Sequence, residues 1–183
     1  MQRIIPIILC AAALAACGSD DPESAAPAPA KQEAALAGAP APLAKLHAQA
    51  SELLGGGPDA FDARIKELKG HPVVVNKWAS WCPPCRAEFP FFQKQAVERG
   101  REVAFLGVDG NDNDGDARAF LRKFPVPFPS YKDPDLKVSA RMKAVAAFPS
   151  TVFYDSKGEL AYVKQGGYPT EEKLVADIER YAR

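Results

Sequence analysis

The chain has 183 residues, 47% of them apolar and 25% charged, with 23 basic side chains balancing 23 acidic ones. Such a composition belongs to a globular protein with room for one domain and little more. Acids and bases are interspersed and no basic stripe is present to attract phosphates, so a nucleic-acid partner is not expected.

The beginning of the chain reads as a leader. Arg3 precedes the apolar run Ile4 to Ala16, which is too short to span a bilayer and ends in small residues, as a secretory signal does. Leu14-Ala15-Ala16-Cys17 also resembles a bacterial lipobox, whose cysteine is lipidated and becomes the new N-terminus. An ordinary signal cut nearby is the alternative; Cys10 fits the lipid role poorly because bulky Leu9 precedes it. With 1–17 read as this signal, Cys10 leaves, Cys17 carries acyl chains, and Cys82 and Cys85 remain as thiols outside the cytoplasm, where disulfides persist. Residues 18–42 are rich in Ala and Pro and hold no aromatic residue. They cannot bury enough apolar surface to order themselves, and an unstructured tether is expected.

Leu43, Leu46, Ala50, Leu53 and Leu54 recur at helical spacing up to the Gly55-Gly56-Gly57 stop, which predicts a helical extension over 43–57. The domain proper then runs over 58–183. Pro58 suits a helix first turn, and Phe61, Ile65 and Leu68 mark one face of that helix. Val73-Val74-Val75 predicts a strand buried on both faces, and Arg86 to Arg99 a helix stopped by Gly100. Glu102 to Val108 is a second buried strand, followed by an acidic loop and a helix carrying Ala117, Phe120, Leu121 and Phe124. Pro125, Pro127 and Pro129 forbid its continuation. A helix is expected near 134–144. Thr151–Tyr154 and Leu160–Lys164 flank a Ser156-Lys157-Gly158 turn and predict a hairpin, and a last helix capped by Thr170 buries Leu174, Ile178 and Tyr181. The fold class is therefore α/β, a mixed sheet flanked by helices with parallel strands in the first strand–helix–strand unit. The acids at 109, 112, 114 and 116 lack the closing Glu of a calcium loop and read as solvated turn chemistry.

Cys82 and Cys85 stand two prolines apart, after a strand and at the start of a helix. Structural zinc needs four Cys or His ligands, and neither His47, on a predicted helix, nor His71, in a turn, forms a ligand-spaced pair; both are expected to meet solvent. No metal site is expected. A staple across so short a loop removes little chain entropy. A helix N-terminus instead favours a thiolate, which lowers the pKa of Cys82 into a range of roughly 3.5–7.5 and makes it the attacking sulfur. Cys85, one turn in, is shielded and placed to resolve the mixed disulfide. Pro83 and Pro84 restrict the backbone between them.

Trp-Cys-Pro-Pro-Cys after VVVNKWAS resembles the thioredoxin superfamily, and within it the extracytoplasmic TlpA/ResA-like thiol–disulfide oxidoreductases, over residues 58 to 183. The resemblance implies a thioredoxin-like fold and no cofactor beyond the redox-active cysteine pair. It also implies that Ala147-Phe148-Pro149-Ser150-Thr151 is the family's cis-proline loop, facing the disulfide and pairing with a bound substrate by strand addition. Phe148, bulkier than the residue usual there, bears on which partners fit. Gly166-Gly167 matches the small residues beside the same groove, although a bulge would also explain them. Trp81, Pro83, Pro84, Phe148 and Pro149 are taken as the substrate-binding surface, and Trp78 as core.

The departures from cytosolic thioredoxins matter. Asn76 stands where those carry a buried proton-moving Asp, and Phe105 about where its Lys partner would be. Glu88, three residues past Cys85 as in ResA-like relatives, then becomes the proton carrier; an exposed helix-surface Glu is the alternative. The expected function is a membrane-tethered exchange of the Cys82–Cys85 disulfide with exported protein thiols. The reductive direction is favoured, for example toward the haem-attachment cysteines of an apocytochrome c, with re-reduction by a membrane electron carrier. The rivals are an oxidase for secreted proteins and a non-catalytic peptide-binding module. The protein is expected to be a monomer.

Overall fold

A computed structural model describes residues 29–183. The expected signal 1–17, the expected lipidation at Cys17 and residues 18–28 of the expected tether lie outside the described residues. Among the described residues, seven helices and six strands follow in the order α1 (Pro29–Leu36), α2 (Ala41–His47), β1 (Leu53–Leu54), α3 (Gly57–Glu67), β2 (Val73–Trp78), α4 (Pro83–Arg99), β3 (Ala104–Gly110), α5 (Asp114–Lys123), β4 (Ser130–Asp133), α6 (Lys137–Arg141), β5 (Ser150–Tyr154), β6 (Leu160–Gln165) and α7 (Glu171–Tyr181). The strands form one sheet in the order β1-β4-β3-β2-β5-β6. β2 pairs in parallel with β3 and antiparallel with β5, and β5–β6 is the expected hairpin.

β2 lies at the centre, and its side chains alternate between two cores. Val74 and Trp78 pack with Phe89, Phe105 and Phe120 on one face, while Val73 and Val75 pack with Phe61, Leu106, Val152 and Leu43 on the other. Trp78 is core, as expected: it stacks on Phe120 with centroids 4.8 Å apart, and its Nε1 donates to Ser130 Oγ at 3.2 Å. Phe61 fills the opposite core with no exposure and stands edge-on to Tyr131 at 5.6 Å. Phe61→Ala is expected to cost about 3–5 kcal/mol of unfolding free energy, read as a lower denaturant midpoint with little change in slope.

The structure departs from the expectations in six places. The tether does not extend through residue 42, because Pro29–Leu36 is helical and packs on α4 with Leu36 buried. The alanines of PAKQEAAL favour a helix once Leu36 has a surface to cover. The helical extension over 43–57 ends at His47, and Leu53–Leu54 instead pairs with β4. Ser51 breaks the run at φ 56°, where its N–H donates to Phe128 O at 3.1 Å. His47 is only partly exposed and does more than meet solvent: its ring nitrogens lie 3.1 Å from Pro127 O and 2.8 Å from Gly100 O, joining two loops. β4 was not expected, since SYKD lacks apolar alternation and follows a proline-rich stretch; pairing on both sides holds it. The helix near 134–144 shrinks to five residues, its N–H groups at Val138 and Ser139 donating to the Asp133 carboxylate. Thr170 occupies the α7 N-cap position but makes no side-chain cap bond.

Candidate active site

The end of β2 delivers Trp78, and a short loop carries the chain through Trp81 to Cys82, the N-cap of α4. Pro83 and Pro84 occupy the first helical positions, where a missing N–H costs nothing. Cys82 and Cys85 form a disulfide with Cα atoms 5.3 Å apart, and the Cys85 N–H donates to Cys82 Sγ at 3.2 Å. Cys85 has no exposure and Cys82 retains 2%. Trp81, half exposed, borders them; its Nε1 donates to Asn111 O at 2.9 Å.

The Phe148–Pro149 peptide is cis and leads directly into β5. Phe148 lies 5.0 Å from the Trp81 ring, so the loop and the rim of the cysteine pair meet. Gly166, at φ 80°, donates its N–H to Pro149 O at 2.9 Å. A Cβ on Gly167 would lie 3.4 Å from both Pro149 Cγ and Glu88 Oε2, so these glycines do flank the loop.

Glu88 is not on the helix surface. It is 1% exposed, and its two oxygens take one hydrogen bond each, Oε1 from Asn76 Nδ2 at 2.7 Å and Oε2 from the Tyr168 N–H at 2.8 Å. Burial pushes its pKa up to about 7, opposed by those two donors and by the charge of Lys164. Asn76 therefore holds Glu88 rather than replacing a base. Its own Oδ1 is buried without a partner, so a half-turn of the amide offers an acceptor to a protonated Glu88.

Two features were not legible in the spacing. The acidic loop is more than solvated turn chemistry: Asp109 is 3% exposed, and Asp112 Oδ2 accepts from the Ser80 N–H at 2.6 Å, tying the loop to the residue before Trp81. Burial, then the neighbouring Asp112, push the Asp109 pKa up to about 8. Lys77, in β2, is fully buried. Alternation along β2 places it on the opposite face of the sheet from Asn76 and Glu88. Among the described residues no three His, Cys, Asp or Glu side chains gather where they could hold a metal ion, and no helix is long and apolar enough to cross a membrane.

The family model Redoxin matches residues 36–180. The thiol-disulfide oxidoreductase ResA of Oceanobacillus iheyensis is 31% identical over 59% of this chain, which corresponds to 56% of that protein, little more than half its length. The thiol:disulfide interchange protein DsbE of Yersinia pestis is 32% identical over 75% of this chain and 69% of its own. Among solved structures, a secreted Mycobacterium tuberculosis disulfide oxidoreductase, described as homologous to E. coli DsbE, superposes with a TM-score of 0.56. It is 28% identical, over 63% of this chain and 85% of that one. A central mixed sheet, a Cys-Pro-Pro-Cys helix start, a cis-proline loop and these matches agree: the chain belongs to the Redoxin family, as a TlpA/ResA-like member of the thioredoxin superfamily.

Proposed function

We propose that this protein is an extracytoplasmic thiol–disulfide oxidoreductase that transfers two electrons from Cys82 and Cys85 to a partner disulfide. One observation carries the reading: a disulfide at a helix N-terminus, with a buried carboxylate one turn on and a cis-proline loop on its rim. The Cys82 thiolate attacks a partner sulfur, forming a mixed disulfide and releasing one partner thiolate. Cys85 then loses its proton and attacks Cys82 Sγ, which closes the Cys82–Cys85 disulfide and releases the second partner thiolate. Glu88 is the proton acceptor for Cys85. A pKa near 7 lets it take that proton at neutral pH, in the step that leaves the partner reduced.

Trp81, Pro83, Pro84, Phe148 and Pro149 form the partner-binding surface, with the partner's backbone laid along the cis-proline loop. ResA and DsbE as similar proteins support thiol–disulfide exchange, and the direction proposed for this chain is the reductive one. An apocytochrome c with its haem-attachment cysteines in disulfide form is the candidate partner. A membrane electron carrier would restore the dithiol, and Cys17 would anchor the chain by its lipid. Equilibration with glutathione tests the direction. A midpoint of about −250 mV or lower is expected; one of about −150 mV or higher would make the protein a disulfide-forming oxidase.

A further inference from the structure

Lys77 carries a charge into the penultimate position of a six-residue strand with no exposed position. Its ammonium makes three hydrogen bonds, all to main-chain carbonyls of one turn: Ala144 O at 2.7 Å, Val145 O at 3.1 Å and Ala147 O at 3.1 Å. An ammonium has three donors, and this turn uses all of them. On its other side lies the Phe148 ring, with the centroid 3.7 Å from Nζ. Residues 144–149 belong to no helix or strand, so those carbonyls have no regular ladder to join. Burial lowers the Lys77 pKa to about 8, opposed by the Asp133 carboxylate, which leaves the side chain charged at neutral pH. A buried charge is a poor source of stability and a good source of fixed geometry.

That geometry reaches the active site. Phe148 is confined by Lys77, by the Trp81 ring at 5.0 Å, and by Gly110, where a Cβ would come within 3.0 Å of Phe148 Cζ. The opposite wall is built alike, with Lys164 Nζ donating to Gly166 O and Gly167 O at 3.0 and 3.1 Å. We propose that Lys77 is a positioning residue for partner docking: by gathering three carbonyls of the 144–147 turn beneath Phe148, it sets the groove wall on which a partner polypeptide lies beside Cys82. The inference rests on the thiol–disulfide reading above. It separates partners by size, because a small dithiol reaches the disulfide without using the wall and a polypeptide does not.

The test compares two reactions of the same preparations. One is oxidation of the reduced protein by a synthetic C-x-x-C-H peptide in disulfide form; the other is reduction of the oxidised protein by dithiothreitol. In Lys77→Met the peptide rate constant is expected to fall at least tenfold relative to that for dithiothreitol, and Lys77→Gln, which keeps two donors, to recover part of the loss. If Lys77→Met fails to fold, the ratio in Lys77→Gln decides, with a fall of threefold or more expected. A ratio unchanged from wild type in the folded variant overturns the inference alone. A wild-type protein that reacts with dithiothreitol but not with the peptide overturns the functional reading, and the inference with it.

Discussion

Cys82→Ser is expected to reduce exchange with a peptide disulfide to the rate of buffer alone, while Cys85→Ser stalls after the first step. The stalled variant should carry its partner as a covalent adduct, visible by mass spectrometry and lost on reduction. The asymmetry follows from placement. Cys82 sits at the N-cap of α4 with residual exposure, whereas Cys85 has none and faces the interior. An attacking sulfur must reach the partner, and a resolving sulfur need reach only Cys82. A serine hydroxyl at neutral pH cannot replace a thiolate in either role. An adduct on Cys82→Ser, with none on Cys85→Ser, would reverse the assignment. Full function of Cys82→Ser in cells would leave a peptide-binding module in place of an enzyme.

Glu88→Gln should remove the pH dependence of the resolving step near neutrality and slow that step by about 10²-fold. In the wild type the rate should rise as pH passes through about 7, because the base is the ionised carboxylate. The fold should accept the amide: Gln can keep an acceptor toward the Tyr168 N–H and offer its NH2 to Asn76, whose Oδ1 has no partner. Stability supplies an independent reading. Glu88 binds its proton more tightly folded than unfolded, so between about pH 4.5 and 7 the native state holds a proton that the unfolded chain has released. Stability from this group is therefore fully present below pH 4.5 and is lost as pH rises through 7, by roughly 3 kcal/mol. Asp109 acts in the same direction up to about pH 8. Denaturant titrations at pH 5 and pH 8 should show the wild type losing stability with rising pH, and Glu88→Gln losing less. Identical pH profiles of the Cys85 thiol in the two proteins would remove Glu88 from the mechanism.

Much of this architecture was legible because it repeats at short range. Val73-Val74-Val75 and the run 103–108 carry no charged or polar side chain, and such strands are buried on both faces. Ala117, Phe120 and Leu121, or Leu174 and Ile178, recur at helical spacing and are buried as that spacing requires. The Cys-Pro-Pro-Cys start of α4 combined a strand end, a helix N-terminus and two thiols within a few residues. β4 failed this test. Its SYKD has no periodicity, and it is a strand because β3 and β1 present free backbone groups on either side.

By itself, then, the sequence determined the elements whose burial pattern is local and the placement of Cys82 and Cys85 between a strand end and a helix start, while the loop at 147–151 was marked only by the family resemblance. The tertiary structure alone decided what surrounds Glu88, Lys77 and Asp109. Those side chains are polar, so no periodic rule marks them for burial. The partners of Glu88 and Lys77, at Asn76, Tyr168 and Ala144 to Ala147, are brought up by strands and loops elsewhere in the chain, and Asp109 is buried with Asp112 of the following loop beside it. Burial sets the proton affinity of Glu88 and Asp109 and the anchoring role of Lys77, and burial of a polar group is a property of the packed chain.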